Sequence, residues 1–292
     1  AFHPDSNQLA TGSFDGTVRA WDPVSGEQIT LFQGAGPVRT VSYRPDGQQI
    51  AAGGASNTIT LWDTGDGQQI RTIKGHTRAV NSIAFSGDGD RIASASDDGS
   101  VRIWDAHLDQ EMRILSQPVA LFTSVSFSGQ GHSLAIGTHE GMVYSRNALD
   151  DQETSVIKGH DSFVTSVAFQ RNGRKIVSGS FDGTARVWDA ISGEELLVLR
   201  GHQGVVHSVT FSDDGQLIAT GGDDRTVRIW DSTSGDEKHR FTDLETVVRC
   251  IAFNPAGNQL VASGSGHLVK TWSLESRAEL LSISTSRSGK GP

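Results

Sequence analysis

Residues 179–190 read GSFDGTARVWDA, and close copies of this stretch recur along the chain. Its tryptophan, Trp188, is one of six, and the others are Trp21, Trp62, Trp104, Trp230 and Trp272. Successive tryptophans are 41, 42, 84, 42 and 42 residues apart, so one member of a regular series is missing. A fixed period of this length is typical of a repeat architecture, here with seven units.

Tight turns divide each unit into short strands. Asp88-Gly89 and Asp214-Gly215 follow an apolar run that ends in Phe, whereas Asp98-Gly99 and Asp182-Gly183 precede the strand that ends in Trp-Asp. Such pairs tolerate the positive φ that hairpin turns require. Three turns per unit leave four strands of about five or six residues, which is an ordinary strand length. The sequence therefore predicts an all-β fold.

The repeated dipeptides carry a resemblance to a known family. Gly-His occurs at 75, 159 and 201, and Trp-Asp at 21, 62, 104, 188 and 230. In this respect the chain resembles the WD40-repeat family of β-propellers. The resemblance implies a seven-bladed β-propeller of four-stranded antiparallel blades around an axial channel.

The domain prediction is one propeller over residues 1–283 and a flexible tail over 284–292, where STSRSGKGP lacks the apolar alternation of a strand. Ala1-Phe2 align with Ala84-Phe85 at the end of a first strand, so blade one is expected to lack most of its first strand. We therefore expect this propeller to be part of a larger chain or complex.

Composition excludes several classes of function. The 292 residues carry a formal net charge of −9, which disfavours a nucleic-acid surface of clustered Lys and Arg. No apolar run reaches the ~20 residues that a membrane span requires, so no membrane insertion is predicted. A single cysteine, Cys250, suggests a reducing, cytoplasmic location. It falls in the apolar run RCIAF, where a small buried thiol is expected.

Three units contain His, Ser or Thr, Asp and Trp at matching offsets. The sets are His76, Ser94, Asp98 and Trp104; His160, Ser178, Asp182 and Trp188; and His202, Thr220, Asp224 and Trp230. Ser, His and Asp together suggest acyl-transfer catalysis. Donor and acceptor capacities instead permit a relay from Trp to hydroxyl to His to Asp.

The structural interpretation of these sets is favoured, because their members disappear together. When the units are aligned, Ile136 of unit four stands at the position of the Ser or Thr hydroxyl, Glu140 at that of the Asp and Arg146 at that of the Trp. A half-satisfied buried network is worse than an apolar one, so joint loss is expected of a structural network. The resemblance also implies a structural tetrad. No catalytic residue, cofactor or metal is predicted, because no phosphate-binding fingerprint or metal-ligand spacing is complete.

The resemblance places partner-binding residues on the narrow face, where the connections between fourth and first strands and between second and third strands meet the channel. Mapped onto this chain, the candidates are Phe14, Arg39, His139, Phe163, Phe181, His207 and Arg249. Aromatic residues and Arg dominate interface energetics. The alternative is that some of these rings pack into neighbouring turns, since isolated exposed apolar residues are common.

Unit four offers a second hypothesis. Arg146 cannot be buried at a tryptophan position without a partner, and Glu140 in the nearby turn is a candidate for an ion pair, with Tyr144 covering part of the space. The alternative is that Arg146 reaches solvent.

The sequence is compatible with three functions. The first is a non-enzymatic scaffold that binds a protein or peptide segment on the narrow face, partly by analogy with the fold. The second is a sensory or regulatory domain of a larger bacterial signalling protein, such as a kinase or signalling ATPase. The third is a hydrolase that uses the channel mouth, for which only His139 with Glu140 breaks the repeat pattern.

Overall fold

The computed structural model describes residues 1–5, 7–34, 36–108, 110–116, 121–150, 153–242, 244–265 and 268–284. Within these ranges the chain forms 27 strands in seven antiparallel sheets, called blades one to seven in chain order. The predicted all-β, seven-bladed fold is confirmed. Across the same ranges, no helix has the length and apolar character needed to span a membrane.

The strands are short and regularly spaced. Blades one to three contain β1 (Leu9–Gly12), β2 (Val18–Trp21) and β3 (Gln28–Phe32); β4 (Val38–Tyr43), β5 (Gln49–Gly54), β6 (Ile59–Asp63) and β7 (Gln69–Ile73); and β8 (Val80–Phe85), β9 (Arg91–Ser96), β10 (Ser100–Asp105) and β11 (Glu111–Ser116). Blades four and five contain β12 (Phe122–Phe127), β13 (Ser133–Thr138), β14 (Met142–Asn147) and β15 (Glu153–Lys158); and β16 (Val164–Phe169), β17 (Lys175–Ser180), β18 (Thr184–Asp189) and β19 (Glu195–Arg200). Blades six and seven contain β20 (Val206–Phe211), β21 (Leu217–Gly222), β22 (Val227–Asp231) and β23 (Glu237–Phe241); and β24 (Val248–Phe253), β25 (Gln259–Gly264), β26 (Leu268–Ser273) and β27 (Glu279–Ser284).

Blades two to seven each have four strands, which pair in chain order. Blade one has three strands within the described residues, and Phe2 adds a single bridge to Leu9. The last strand includes Ser284, one residue beyond the domain boundary expected from the sequence. The tail expected after it lies outside the described residues.

The core lies between the blades. Within the described residues there are seven hydrophobic clusters, and each combines side chains of two neighbouring blades. Trp188 of blade five, for example, packs with Val143 and Ile157 of blade four. Phe2 and Trp21 pack with Val261 of blade seven, which closes the ring. Strands such as β18 are buried on both faces for this reason.

Hydrogen bonds tie the first strands of successive blades together around the channel. In five of the six first strands within the described residues, the third residue carries a hydroxyl that accepts from a backbone N–H of the next first strand. The acceptors are Thr40, Ser82, Ser124, Ser166 and Ser208, with N···O distances of 3.1 to 3.3 Å. These hydrogen bonds therefore hold the first strands of neighbouring blades in one register.

Cys250 occupies the same position in β24, but the next blade is blade one, which contributes no first strand within the described residues. The Cys250 side chain is consequently exposed. The prediction of a buried thiol is wrong for this chain, because it treated β24 as covered by a following first strand, as the other five first strands are.

Candidate functional site

All three tetrads form the same relay of hydrogen bonds. In the blade-five tetrad, Trp188 Nε1 donates to Ser178 Oγ at 2.8 Å, and Ser178 Oγ lies 2.7 Å from His160 Nε2. His160 Nδ1 lies 2.8 Å from Asp182 Oδ2. Since Asp182 can only accept, His160 carries its hydrogen on Nδ1 and accepts from Ser178 on Nε2.

The other two tetrads have almost identical geometry. The Trp-to-hydroxyl, hydroxyl-to-His and His-to-Asp distances are 2.8, 2.7 and 2.8 Å for Trp104, Ser94, His76 and Asp98. They are 2.9, 2.7 and 2.9 Å for Trp230, Thr220, His202 and Asp224. Each relay joins the second and third strands of one blade to the loop before its first strand.

Burial perturbs the titration of these groups. It lowers the pKa of His160 below the usual 6.5, although the hydrogen bond to Asp182 acts in the opposite direction. His76 and His202 have pKa values lowered for the same reason. Burial alone would raise the pKa of Asp182, but hydrogen bonds from Thr184, His160 and a backbone amide outweigh it and hold the pKa at about 2.

The tetrads have no access to a substrate. The hydroxyl residues Ser94, Ser178 and Thr220 are each 0% exposed, and each hydroxyl already bonds to both Trp and His. A nucleophile must reach the reacting carbonyl, so this geometry supports a structural role. Within the described residues, no three His, Cys, Asp or Glu side chains are grouped so that they could hold a metal ion.

Four aromatic rings form a continuous row across the narrow face of blades four to six. His139 stacks on Phe163 with ring centroids 4.6 Å apart, and Phe163 meets Phe181 edge to face at 5.4 Å. Phe181 in turn meets the ring of His207 at 6.3 Å. Phe163 is 42% exposed and Phe181 is 49% exposed, so the middle of this aromatic row is open to solvent.

Close backbone contacts between blades bring the rings together. The turn that carries His139 packs on the loop that carries Phe163, where a Cβ on Gly141 would lie 2.9 Å from the carbonyl oxygens of His160 and Ser162. Gly141 has φ of 78°, which also favours glycine. The same contact recurs one blade further on, because a Cβ on Gly183 would lie 3.2 Å from the Gly204 oxygen.

A depression of about 310 Å³ lies beside the row between blades five and six. The residues that line it include Phe181, Asp182, Arg200, Gly201 and Gln203. Arg200 and Gln203 are exposed. The row therefore adjoins a concave surface with a cation at its edge.

The two arginines among the candidates are partly engaged within the protein. Arg249 Nη1 lies 3.2 Å from His207 Nδ1, and His207 Nε2 lies 2.6 Å from Asp223 Oδ1. Arg39 Nη1 donates to Asn81 Oδ1 at 2.5 Å and to Asp97 Oδ2 at 3.0 Å. Two charge clusters thus form on this face, one on blades two and three and one on blades six and seven.

The structure brings five of the seven candidates together. His139, Phe163, Phe181 and His207 form the row, and Arg249 contacts its end. Arg39 belongs to the separate cluster on blades two and three. Phe14, on blade one, is 77% exposed and makes no ring contact within the described residues.

Two arginines beside the row were not among the candidates. Arg200 directly precedes Gly201-His202, and Arg225 occupies the turn position that holds Gly99 and Gly183 in blades three and five. Arg225 has φ of 60°, an uncommon conformation for a residue with a side chain. The replacement of glycine by arginine at this turn position was the signal in the sequence that could have identified Arg225.

Blade four keeps its four strands without the tryptophan. The Arg146 guanidinium lies 5.5 Å from the centroid of the Tyr144 ring, and Tyr144 packs against the cluster between blades three and four. Glu140 is exposed and forms no ion pair within the described residues. The suggested pair of Arg146 with Glu140 is therefore not formed, because Glu140 lies in the turn before β14 whereas Arg146 lies near the end of that strand.

The fold and the relays define the class of protein: a seven-bladed β-propeller built from repeats with a buried hydrogen-bonded tetrad. The sequence model described as "WD domain, G-beta repeat" matches residues 1–22, 26–63, 67–105, 151–189, 193–231 and 236–273. These segments cover more than half of the chain, and the chain belongs to the WD40 family. Propellers of this family generally act as protein-interaction scaffolds and are generally not enzymes.

The matched segments leave out residues 106–150, which contain β12, β13 and β14 of blade four. These strands nevertheless pair in the same order as those of the other blades. Comparison with curated proteins gave no match.

Proposed function

We propose that this propeller is a non-enzymatic scaffold that binds a protein or peptide segment on its narrow face, at the aromatic row of His139, Phe163, Phe181 and His207. The observation that carries the proposal is the row itself. Its two central phenylalanines are about half exposed, although each is held in place by a neighbouring ring.

An exposed and preorganised aromatic row suits binding energetically. Burying apolar surface contributes about 25 cal/mol per Å². Rings that are already held by their neighbours lose little conformational freedom when a partner docks, so more of this free energy is available for binding. The flanking depression supplies the concave shape that a protruding side chain needs.

A hydrolase is supported less well. The three Ser/Thr-His-Asp sets are buried, and His139 lies with its ring face against Phe163. Glu140 next to it forms no hydrogen bond to a base or nucleophile within the described residues. The hypothesis of a sensory or regulatory domain in a larger bacterial signalling protein stays a prediction, as does the cytoplasmic location.

Affinity capture with matched variants tests the proposal. We expect the Phe163→Ala/Phe181→Ala double variant to lose proteins that the wild-type propeller retains from a cell extract. Phe14→Ala is the control, because it removes an equally large exposed ring from the same face but outside the row. Equal retention by the wild type and the double variant would contradict the proposal.

A further inference from the structure

We infer that the partner segment at the aromatic row is acidic, and that it places a carboxylate at Arg200 and Arg225 while a large apolar side chain packs on Phe163 and Phe181. The inference rests on the proposed function and adds the chemistry of the partner. It commits to a peptide segment with an aromatic or long aliphatic residue close to Asp or Glu.

The apolar half of this site is the centre of the row. Phe163 and Phe181 meet at 5.4 Å with planes inclined by 60°, which leaves an open angle between the two rings. A flat or branched apolar side chain fits such an angle, since aromatic pairs prefer offset or edge-to-face arrangements. The His139 and His207 rings close the two ends of the row.

The basic half begins at Arg200. This residue is exposed and lines the same depression as Phe181, and its side chain makes no hydrogen bond or ion pair within the described residues. A carboxylate that enters the depression would meet a guanidinium with all five donors available, and the planar fork of Arg matches a carboxylate bidentately. The cation and the apolar ring therefore line the same depression.

Arg225 is a second, independent observation. Hydrogen bonds join the loop that contains Arg200 to the turn that contains Arg225. His202 Nδ1 lies 2.9 Å from Asp224 Oδ1, and the backbone N–H of Gln203 donates to Asp224 Oδ2 at 3.1 Å. Arg225 is exposed, its side chain makes no hydrogen bond or ion pair within the described residues, and its φ of 60° is strained for a residue with a Cβ. Glycine would relieve that strain, so the strain is stored in the turn whose Asp223 contacts His207 of the row.

The acidic groups near these arginines are already engaged. Asp223 bonds to His207 at 2.6 Å and has its pKa lowered by that hydrogen bond. Asp182 and Asp224 belong to the tetrads and contact Arg186 and Arg228 at 3.8 and 3.5 Å. Arg200 and Arg225 are therefore left to interact with charges brought by a partner.

Charged groups at the blade-four end of the row determine the orientation in which the partner segment binds. Glu140 and Asp161 are exposed on the turn and loop that meet at Gly141, and Lys158 is exposed close by at the end of β15. These three groups leave one net negative charge beside His139. An acidic segment is thus repelled at the blade-four end and attracted at the blade-six end. Its acidic residues are therefore expected at the blade-six end of the row.

Selection from a random heptapeptide library displayed on phage tests the inference. We expect peptides selected on the wild-type propeller to share an aromatic or long aliphatic residue within three positions of Asp or Glu. A synthetic consensus peptide should bind Arg200→Gln and Arg225→Gly about threefold to tenfold more weakly than the wild type, in fluorescence anisotropy titrations. Arg174→Gln is the control, because Arg174 is exposed but lies in the turn between β16 and β17, away from the row.

The variants separate this inference from the proposed function. Peptides that lose binding to Phe163→Ala/Phe181→Ala but bind both arginine variants as well as the wild type would overturn the acidic partner and leave the scaffold proposal intact. No enrichment, or enrichment that Phe163→Ala/Phe181→Ala leaves unchanged, would overturn both. We expect Arg225→Gly to keep or raise the thermal midpoint, and calorimetry of the variant then distinguishes weaker binding from loss of fold.

Discussion

His139 of blade four stacks on Phe163 of blade five, with ring centroids 4.6 Å apart and planes 24° apart. The two residues belong to different sheets, and the contact is set by the way that neighbouring blades pack rather than by either blade alone. The row that continues to Phe181 and His207 makes three blades present one surface. Blade four therefore takes part in the proposed site although it has neither the tetrad nor the tryptophan.

Removing a tetrad histidine should destabilise the propeller without changing its narrow face. We expect His160→Ala to lower stability by about 2 to 4 kcal/mol, because it leaves Ser178 and Asp182 buried without their partner. The thermal midpoint should fall by about 5 to 10 °C by calorimetry. His132→Ala, at an exposed histidine outside the tetrads, should change it little. Loss of peptide binding by folded His160→Ala would contradict the structural role.

The three tetrads should make the protein sensitive to acid. The pKa of each tetrad histidine is lowered in the folded state, so the unfolded chain binds protons more readily. The histidines therefore contribute their whole stabilisation above about pH 6.5, and the free energy of unfolding decreases as the pH falls below that value. The tetrad aspartates, with pKa values of about 2, add a further loss as the pH falls below their usual 3.8. Thermal midpoints measured from pH 8 to pH 4 should decline steadily below pH 6.5. A constant midpoint between pH 7 and pH 5 would show that the histidines are not buried in neutral form.

Glu140 and Arg146 should act independently. Glu140→Gln is expected to change stability by less than about 0.5 kcal/mol, because surface substitutions without a specific partner have small effects. Arg146→Ala should cost about 1 kcal/mol or more through its contact with the Tyr144 ring. Urea unfolding of the two single variants and the double variant measures the coupling. A coupling above about 0.5 kcal/mol would restore the ion pair as an explanation of blade four.

Cys250 should behave as an accessible thiol. Its side chain is exposed in the 292-residue chain, and we expect one equivalent of a thiol-specific colorimetric reagent to react with this chain when it is folded. The urea-unfolded protein is the reference for full reaction. Protection of the thiol until the protein unfolds would mean that another segment covers β24.

The periodic part of the structure could be predicted from the sequence, because each unit repeats the same turns and the same buried columns. Trp188, Ser178, His160 and Asp182 form the expected relay, since donors and acceptors at fixed offsets meet in the same way in all three units that carry the full set. The stacking of His139 on Phe163 could not be predicted, because it depends on distances between blades.

Departures from periodicity explain the errors. Cys250 looks buried in an alignment of units, but its exposure depends on the blade beside it. Glu140 and Arg146 stand at the Asp and Trp positions, which are linked through a His and a hydroxyl in blades three, five and six, and the arginine instead lies over Tyr144. Arg225 stands at a turn position that holds glycine in blades three and five, and this replacement is visible in the sequence. The contact between its turn and the loop of Arg200 depends on the fold.

The central claim is that the aromatic row binds the partner, and isothermal titration of the selected consensus peptide tests it most directly. Wild type and Phe14→Ala should bind with the same affinity, whereas Phe163→Ala/Phe181→Ala should bind at least about 30-fold more weakly, as expected when two central anchors are truncated. Circular dichroism should show the same thermal midpoint for all three proteins within a few degrees. Equal affinity of the double variant and the wild type, with both folded, would contradict the claim.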